Sequence, residues 1–571
     1  MTVGSADAHT KCSMSTPRHS AWPWLILLMM VGCAFNLTKP YHVDDTAHLE
    51  IAHAILADPL HPMSGKVNWR DTAKPIHHLN QPHLFFYLLA GAIAVGGTSE
   101  PVLHLLIACF TCGVILLFHA VARRFFAGQA LLLTAMLVLG PAFLPGQNLM
   151  VDVPLLFIWL AAIGALLGAV GAVEASVADA SRGMRRYALS GAMIAAACLT
   201  KYSSLVLVPL YVLTALMRRH IRALWTLLLP VGALMAWSCF NLLDYGAIHI
   251  LNRPQLDVTV ERVILRGVEW IAAVGAAAPF SVAFMPRPGM KWNSWISILA
   301  GVAVGVAAGL AISTHSKATI QIAVLWGVFI GNGVFVLCLV GQGAVHSLRE
   351  AGQSDDRAAR DRTLVVLLWL AGTSLFMVLF APFMSMRSVL LAVPALLLLL
   401  PWKAVATARP LVIGALVLTT LLGTALAVSD YRCAAVYRDY ASRIKSEAPE
   451  GARIWFLGHW GWQWYAQAAG MKQYDPKRTA LGNGDFVVYP ERIHTTSVSA
   501  QDRARLVKVG EYTVSGSPWV WLRTLAVDPP GGYYAFFLNM KNCAPPWRFS
   551  RAPVEVFSIL KVVEGTDAGS Q

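Results

Sequence analysis

The feature that most constrains this chain is the recurrence of long apolar runs. "AWPWLILLMMVGCAFNLT", "TLVVLLWLAGTSLFMVLFAPF" and "LVIGALVLTTLLGTALAV" carry no charged side chain. A run of about 18 residues or more, wound as a helix, covers the hydrocarbon core of a bilayer. A chain assembled from such runs is expected to fold as a polytopic α-helical membrane protein. Only 13% of the 571 residues are charged, about half the share of a soluble protein.

That class changes how the net charge of +14 is read. Lys and Arg accumulate in the short cytoplasmic loops of membrane proteins, so a basic excess needs no nucleic acid to explain it. No basic run is interleaved with aromatics, and no nucleic-acid partner is expected. The first apolar run has no small-residue cleavage site after it and reads as a retained span.

Basic clusters at Arg123-Arg124, Arg182 to Arg186, Arg218 to Arg222, Arg287 to Lys291, Arg349 to Arg362 and Lys403 to Arg409 fall between apolar runs. Placing them in the cytoplasm, together with a tail over residues 1–20, gives a consistent alternation. The loop 40–82, Asp152, Lys201-Tyr202, Arg387 and everything after about residue 429 then face outward. The region 83–121 reads as two hydrophobic helices broken at "GGTSEP", whereas the alternation allows one crossing there. Counted once, the chain makes about 13 spans.

The C-terminal part differs in kind. Strand-like pieces ("ARIWFLG", "DFVVYP", "YYAFFLN") alternate with a helical pattern ("DYASRIKSEA") and Gly/Pro turns. The expected organisation is a tail (1–20), a transmembrane catalytic unit (21–429, with a first outward loop at 40–82) and a small α/β extracytoplasmic domain (430–571). Cys109 and Cys112 lie inside "LLIACFTCGVILLF" and read as small apolar packing residues. Cys433 and Cys543, in an outward-facing region, are candidates for a disulfide.

Charged groups at a membrane rim are costly, and each is a functional candidate. On the outward side these are Asp44, Asp45, Asp152, Lys74, Lys201 and Arg387. Two or three carboxylates and three cations at one interface suit transfer of a group from a lipid-linked phosphate to a hydroxyl. An alcohol is a weak nucleophile at neutral pH and gains from a carboxylate base; Asp44 or Asp45 fits that role. A departing phosphate needs cations, and Lys201 and Arg387 fit as clamps. Each has a plainer alternative: Asp44-Asp45 could start a surface helix, Asp152 could cap the next span, and the cations could anchor helix ends.

The histidines raise the question of a metal. Asp44 and His48 are four apart, and His77, His78 and His83 follow, but no HxxxH or HExxH spacing occurs. No metal and no cofactor is therefore expected, and His83 is read as a sugar or headgroup contact. The aromatics of "FLGHWGWQWYAQAAG" suit either sugar stacking or packing at the membrane interface. A transporter of lipid-linked sugars is the rival reading, but repeated halves and charges at the midplane are not seen.

The ordered set of an acidic pair after the first span, "QPHLFFYLLAGA", "NLMVDVPLLFIWLAAIGALL", "LTKYSSLVLVP" and "APFMSMRSVLLAVPALLLL" resembles the GT-C membrane glycosyltransferases. It is most similar to the branch containing protein O-mannosyltransferases and lipid A aminoarabinose transferases, over roughly residues 20 to 430. The resemblance implies an inverting transferase in a bacterial inner membrane. It would use a polyprenyl-phosphate sugar and a lipid, glycan or protein acceptor, with its site and C-terminal domain facing outward. That family carries Asp-Glu after its first span; here the pair is Asp44-Asp45, so Asp44 takes the place of the base. Asp152 matches the second acidic position. Lys201, Tyr202 and Arg387 match donor-contacting positions. Gln81-Pro82 stands where the family has Lys-Pro, leaving Gln81 as a substrate contact and Lys74-Pro75 upstream as the compensating cation. A family member without activity is the remaining alternative.

Overall fold

The computed structural model describes residues 20–69, 73–79, 81–171, 177–252, 258–287, 292–405, 407–493, 497–516, 521–527, 530–539 and 543–564. Nearly all of the expected cytoplasmic tail, and residues 288–291 of one basic cluster, lie outside the described residues.

The chain is mostly helical. The first half contains α1 (Trp22–Ala34), α2 (Asp45–Ala57), α3 (Leu84–Gly96), α4 (Glu100–Ala122), α5 (Ala130–Val138), α6 (Asp152–Val170), α7 (Val177–Thr200), α8 (Leu207–Met217) and α9 (Leu228–Tyr245). The second contains α10 (Val260–Ala277), α11 (Trp292–His315), α12 (Ile320–Gln353), α13 (Arg357–Phe380), α14 (Met386–Val389), α15 (Val393–Leu399), α16 (Trp402–Val405), α17 (Arg409–Glu447) and α18 (Gly461–Ala468). Among the described residues, seven helical stretches are long and apolar enough to cross a membrane, and three shorter apolar ones accompany them. Large apolar side chains such as Leu228, Met235, Leu243, Leu299 and Leu310 stand exposed on α9 and α11, as a lipid-facing surface requires.

The region 83–121 resolves into a short helix and a long one. At 1.5 Å per residue, 13-residue α3 is about 20 Å long, short of the hydrocarbon core, whereas 23-residue α4 reaches across. Gly97, with φ 77°, makes the break between them.

Close helix approach is built on glycine. Gly301, Gly305 and Gly309 of α11 face Gly327 and Gly331 of α12. A Cβ on Gly305 would come 2.6 Å from the Gly327 carbonyl oxygen, so only glycine allows the two backbones this near.

The C-terminal part holds a five-stranded mixed sheet in the order 472–473, 454–456, 486–490, 555–562, 506–514. The first three strands are parallel; 555–562 runs antiparallel to both of its neighbours. The expected boundary at residue 430 falls inside α17, which continues unbroken from Arg409 to Glu447 and carries the chain from the bundle to the sheet. One continuous core includes α4, α6, α12 and α17 and also Trp462 and Phe557 around the sheet. Cys433 and Cys543 are both free and buried, so the considered disulfide is absent. Cys433 instead lines a cavity, and the Cys543 thiol donates to the Asn539 carbonyl at 3.2 Å.

Candidate active site

Four chain segments far apart in sequence meet on the wall of one cavity of about 1030 Å³. The first is the turn before α2. Val43 there has φ 49°, an uncommon conformation for a β-branched residue. The turn is closed by Asp45, whose Oδ2 accepts the His42 backbone N–H at 2.8 Å. Asp44 precedes α2 but makes no capping hydrogen bond; its carboxylate points to the cavity and accepts from Arg387 Nη1 at 3.2 Å.

Asp152 opens α6, again without capping it. Its Oδ1 lies 3.2 Å from Lys201 Nζ and its Oδ2 lies 3.5 Å from Arg387 Nη1. Lys201 follows α7 in an extended conformation (φ −156°, ψ 127°), which turns its side chain back towards α6. Arg387 lies in the one-turn helix α14. Ser385 caps that helix by accepting the Ser388 N–H. The segment before it is pinned by the C-terminal region: the Met386 N–H donates to the Tyr533 carbonyl (2.9 Å), and the Phe536 N–H donates to the Met384 carbonyl (3.0 Å). The result is a chain of charges, Asp44–Arg387–Asp152–Lys201. Burial opposes the Arg387 charge, but Asp152 and Asp44 outweigh it and hold the guanidinium above its usual pKa.

Of the residues singled out in the sequence, Asp44, Asp152, Lys201, Tyr202, Gln81 and Arg387 line this cavity. Tyr202 Oη is fixed by His249 Nδ1 (2.9 Å) and by the Trp237 indole N–H (3.1 Å). Three others stand elsewhere. Asp45 is fully buried beside the site, and burial pushes its carboxyl up to about 8. His83 is buried between Phe86 and Trp237. Lys74 is exposed on a two-stranded ribbon, opposite Val67. Among the described residues, no three His, Cys, Asp or Glu side chains gather as a metal-holding group. His48 does line the cavity, one helical turn past Asp44, with Nδ1 2.6 Å from the Leu149 carbonyl oxygen.

Sequence reasoning missed a second layer behind Arg387. The Tyr534 ring lies 5.2 Å from the guanidinium carbon, within cation–π range. Its hydroxyl donates to Asp430 Oδ2 (2.6 Å) and accepts from Asn148 Nδ2 (2.6 Å). Asp430 is also paired with Lys39 at 2.5 Å, with both side chains fully buried, and accepts from Thr524 Oγ1 at 2.7 Å. Lys39 and Asp430 satisfy the same criterion that selected Lys201 and Arg387, a charge at the end of an apolar run. Tyr534 carried no such signal.

Residues 80–241 match the family model described as dolichyl-phosphate-mannose-protein mannosyltransferase. None of the curated proteins compared matches the sequence. Similar solved structures include the oligosaccharyltransferase AglB from Archaeoglobus fulgidus, in complex with an inhibitory peptide and a dolichol-phosphate. It is 12% identical with a TM-score of 0.47, over 82% of this chain and 69% of that one. ArnT from Cupriavidus metallidurans in the apo state is 16% identical with a TM-score of 0.40, over 82% of this chain and 93% of that one. The same protein bound to undecaprenyl phosphate gives 16% and 0.39, over 83% and 94%. The family match bears out, over its stretch, the resemblance to the GT-C glycosyltransferases and the reading of the chain as a glycosyl-transferring membrane enzyme.

Proposed function

We propose that the protein transfers a sugar, with inversion, from a polyprenyl phosphate to an acceptor hydroxyl at the outer face of the membrane. The observation that carries this reading is the Asp44–Arg387–Asp152–Lys201 chain on the cavity wall. A donor phosphate entering beside Arg387 and Lys201 competes with the carboxylates for the same N–H donors. Arg387 turning to the phosphate uncovers Asp44, which then accepts the proton of the acceptor hydroxyl. The hydroxyl oxygen bonds to the anomeric carbon as the bond from that carbon to the phosphate oxygen breaks, and the polyprenyl phosphate leaves with the electron pair. Lys201 and Arg387 hold its charge; Asp152 keeps both cations in register. The donor sugar's hydroxyls meet Gln81 and Tyr202 on the cavity wall.

The test is transfer from a radiolabelled polyprenyl-phosphate sugar in membranes carrying the full chain. Asp44→Asn is expected to lower the rate by about 10²–10⁴-fold, the usual contribution of a general base, with expression and membrane insertion unchanged. Full transfer by that variant would overturn the assignment. Thiol labelling of a single cysteine placed at exposed Lys74 from the outer side, in sealed cells, tests the orientation; protection from an impermeant reagent would reverse it.

A further inference from the structure

In the proposed transfer Arg387 exchanges Asp44 for the donor phosphate. An arginine on a one-turn helix has many rotamers in which to miss that phosphate. The side chain is 11% exposed, and its Nη1 reaches the Asp44 carboxylate, the Asp152 carboxylate and the Met150 sulfur. Among the described residues its Nε is buried without a hydrogen-bond partner, so the fork is not fully satisfied until a further acceptor arrives. Both carboxylate contacts compete with an incoming anion. The Tyr534 ring, 5.2 Å from the guanidinium carbon, does not. A cation over an aromatic face can change its hydrogen-bonded partner without leaving the ring.

The ring is itself held from behind. Tyr534 is 4% exposed, and its hydroxyl is tied twice, donating to Asp430 and accepting from Asn148. Lys39 ties those two together: its ammonium donates to Asp430 Oδ2, Asn148 Oδ1 and the Pro145 carbonyl, which uses all three of its donors. Thr524 Oγ1 donates to the other Asp430 oxygen. Burial, and then the Asp430 carboxylate, keep the Tyr534 phenol protonated, so the ring beside the guanidinium stays neutral. The same stretch of chain fixes α14, through the Tyr533 carbonyl and the Phe536 N–H. The backbone and the side chain of Arg387 are thus both referred to residues 533–536.

We propose that Tyr534 is a positioning residue for the donor phosphate: its ring keeps the Arg387 guanidinium in place while the guanidinium passes from Asp44 to the phosphate. Lys39, Asn148 and Asp430 back the ring. This rests on the reading of Arg387 as a clamp for that phosphate. Donor affinity is then set in part by the C-terminal region, through a contact that carries no charge of its own.

Binding of decaprenyl phosphate to the full chain in detergent tests this, read as the concentration that gives half the maximal rise in Tm, with decaprenol as the neutral counterpart. Tyr534→Phe keeps the ring and cuts the ties to Asp430 and Asn148. It is expected to lower the Tm of the free protein and to raise the half-saturating concentration no more than about twofold. Tyr534→Leu removes the ring, with an expected rise of about 3- to 30-fold. Tyr534→3,4,5-trifluorophenylalanine keeps the shape of the phenylalanine variant but draws charge from the ring face. A rise of about threefold or more over Tyr534→Phe is expected, and this pair decides the question even where Tyr534→Leu does not fold. In an Arg387→Gln background these differences are expected to vanish. Equal affinities for the phenylalanine and trifluorophenylalanine variants, or differences that keep their size in the Arg387→Gln background, would overturn the proposal. Decaprenyl phosphate that acts no better than decaprenol on the parent, or equally on the parent and Arg387→Gln, would instead overturn the phosphate clamp on which it rests.

Discussion

At the scale of single residues, the adjacent acids divide their work by direction. Successive residues at a helix start point different ways, and here Asp44 reaches Arg387 while Asp45 folds back onto the His42 N–H. The fold accepts a left-handed Val43 to hold that split. Because Asp45 is buried, its folded pKa of about 8 lies above its ordinary value of 3.8. Between those values the folded chain keeps a proton that the unfolded chain has released, so this group's stabilisation falls as pH rises from about 4 to about 8 and is constant above. Asp45→Asn is expected to retain transfer and to lose that slope. The measurement is Tm against pH for both proteins; a difference that stays flat from pH 4 to 8 would contradict the assignment.

At the scale of elements, the site is assembled from helix ends, where the chain changes direction. Asp44, Asp152 and Lys201 flank the starts of α2 and α6 and the end of α7, and Arg387 rides a single turn held by main-chain bonds to residues 533–536. Placement of such ends depends on how closely the long helices pack. The α11–α12 contact is one such case, and Gly305→Leu forces a side chain into the Gly327 backbone. Overpacking of that kind costs about 1–3 kcal/mol. The variant is expected to show a lowered Tm in detergent, whereas Gly414→Leu on α17, where nothing lies within 4 Å of the added Cβ, stays near the parent value. Equal Tm values for both would remove the role given to the glycine contact.

At the scale of the whole molecule, the C-terminal region forms part of the wall of the candidate site. The sheet and the helical bundle share one core, and Tyr533, Tyr534 and Phe536 reach from the last fifth of the chain to Arg387. The Lys39–Asp430 pair ties the end of the first apolar run to α17 in full burial. Removing one partner of such a pair strands the other charge and costs about 3–5 kcal/mol. Asp430→Asn is thus expected to lower the Tm strongly. Lys39→Met combined with it should recover part of the loss, because no unpaired charge then remains. A single variant as stable as the parent, or a double variant worse than the single, would show that the pair is not what joins these parts.

The class of fold, the glycosyltransferase resemblance and the charged residues Asp44, Asp152, Lys201 and Arg387 of the cavity wall were legible in the sequence, because each rests on a local cost. An uncharged run has no place but lipid or core, and Asp152, Lys201 and Arg387 stand out as charges beside such runs. Which charge meets which was decided only by tertiary packing. Lys74 looked as eligible as Lys201 but lies on an exposed ribbon, and Asp45 looked as eligible as Asp44 but is sealed behind it. The boundary drawn at residue 430 marked a real change of composition, yet α17 runs through it. Tyr534 carries no periodicity or motif; its place behind Arg387 comes from a cavity wall built by segments over a hundred residues apart. Composition records what each residue costs to bury, and only the folded chain decides what is buried against it.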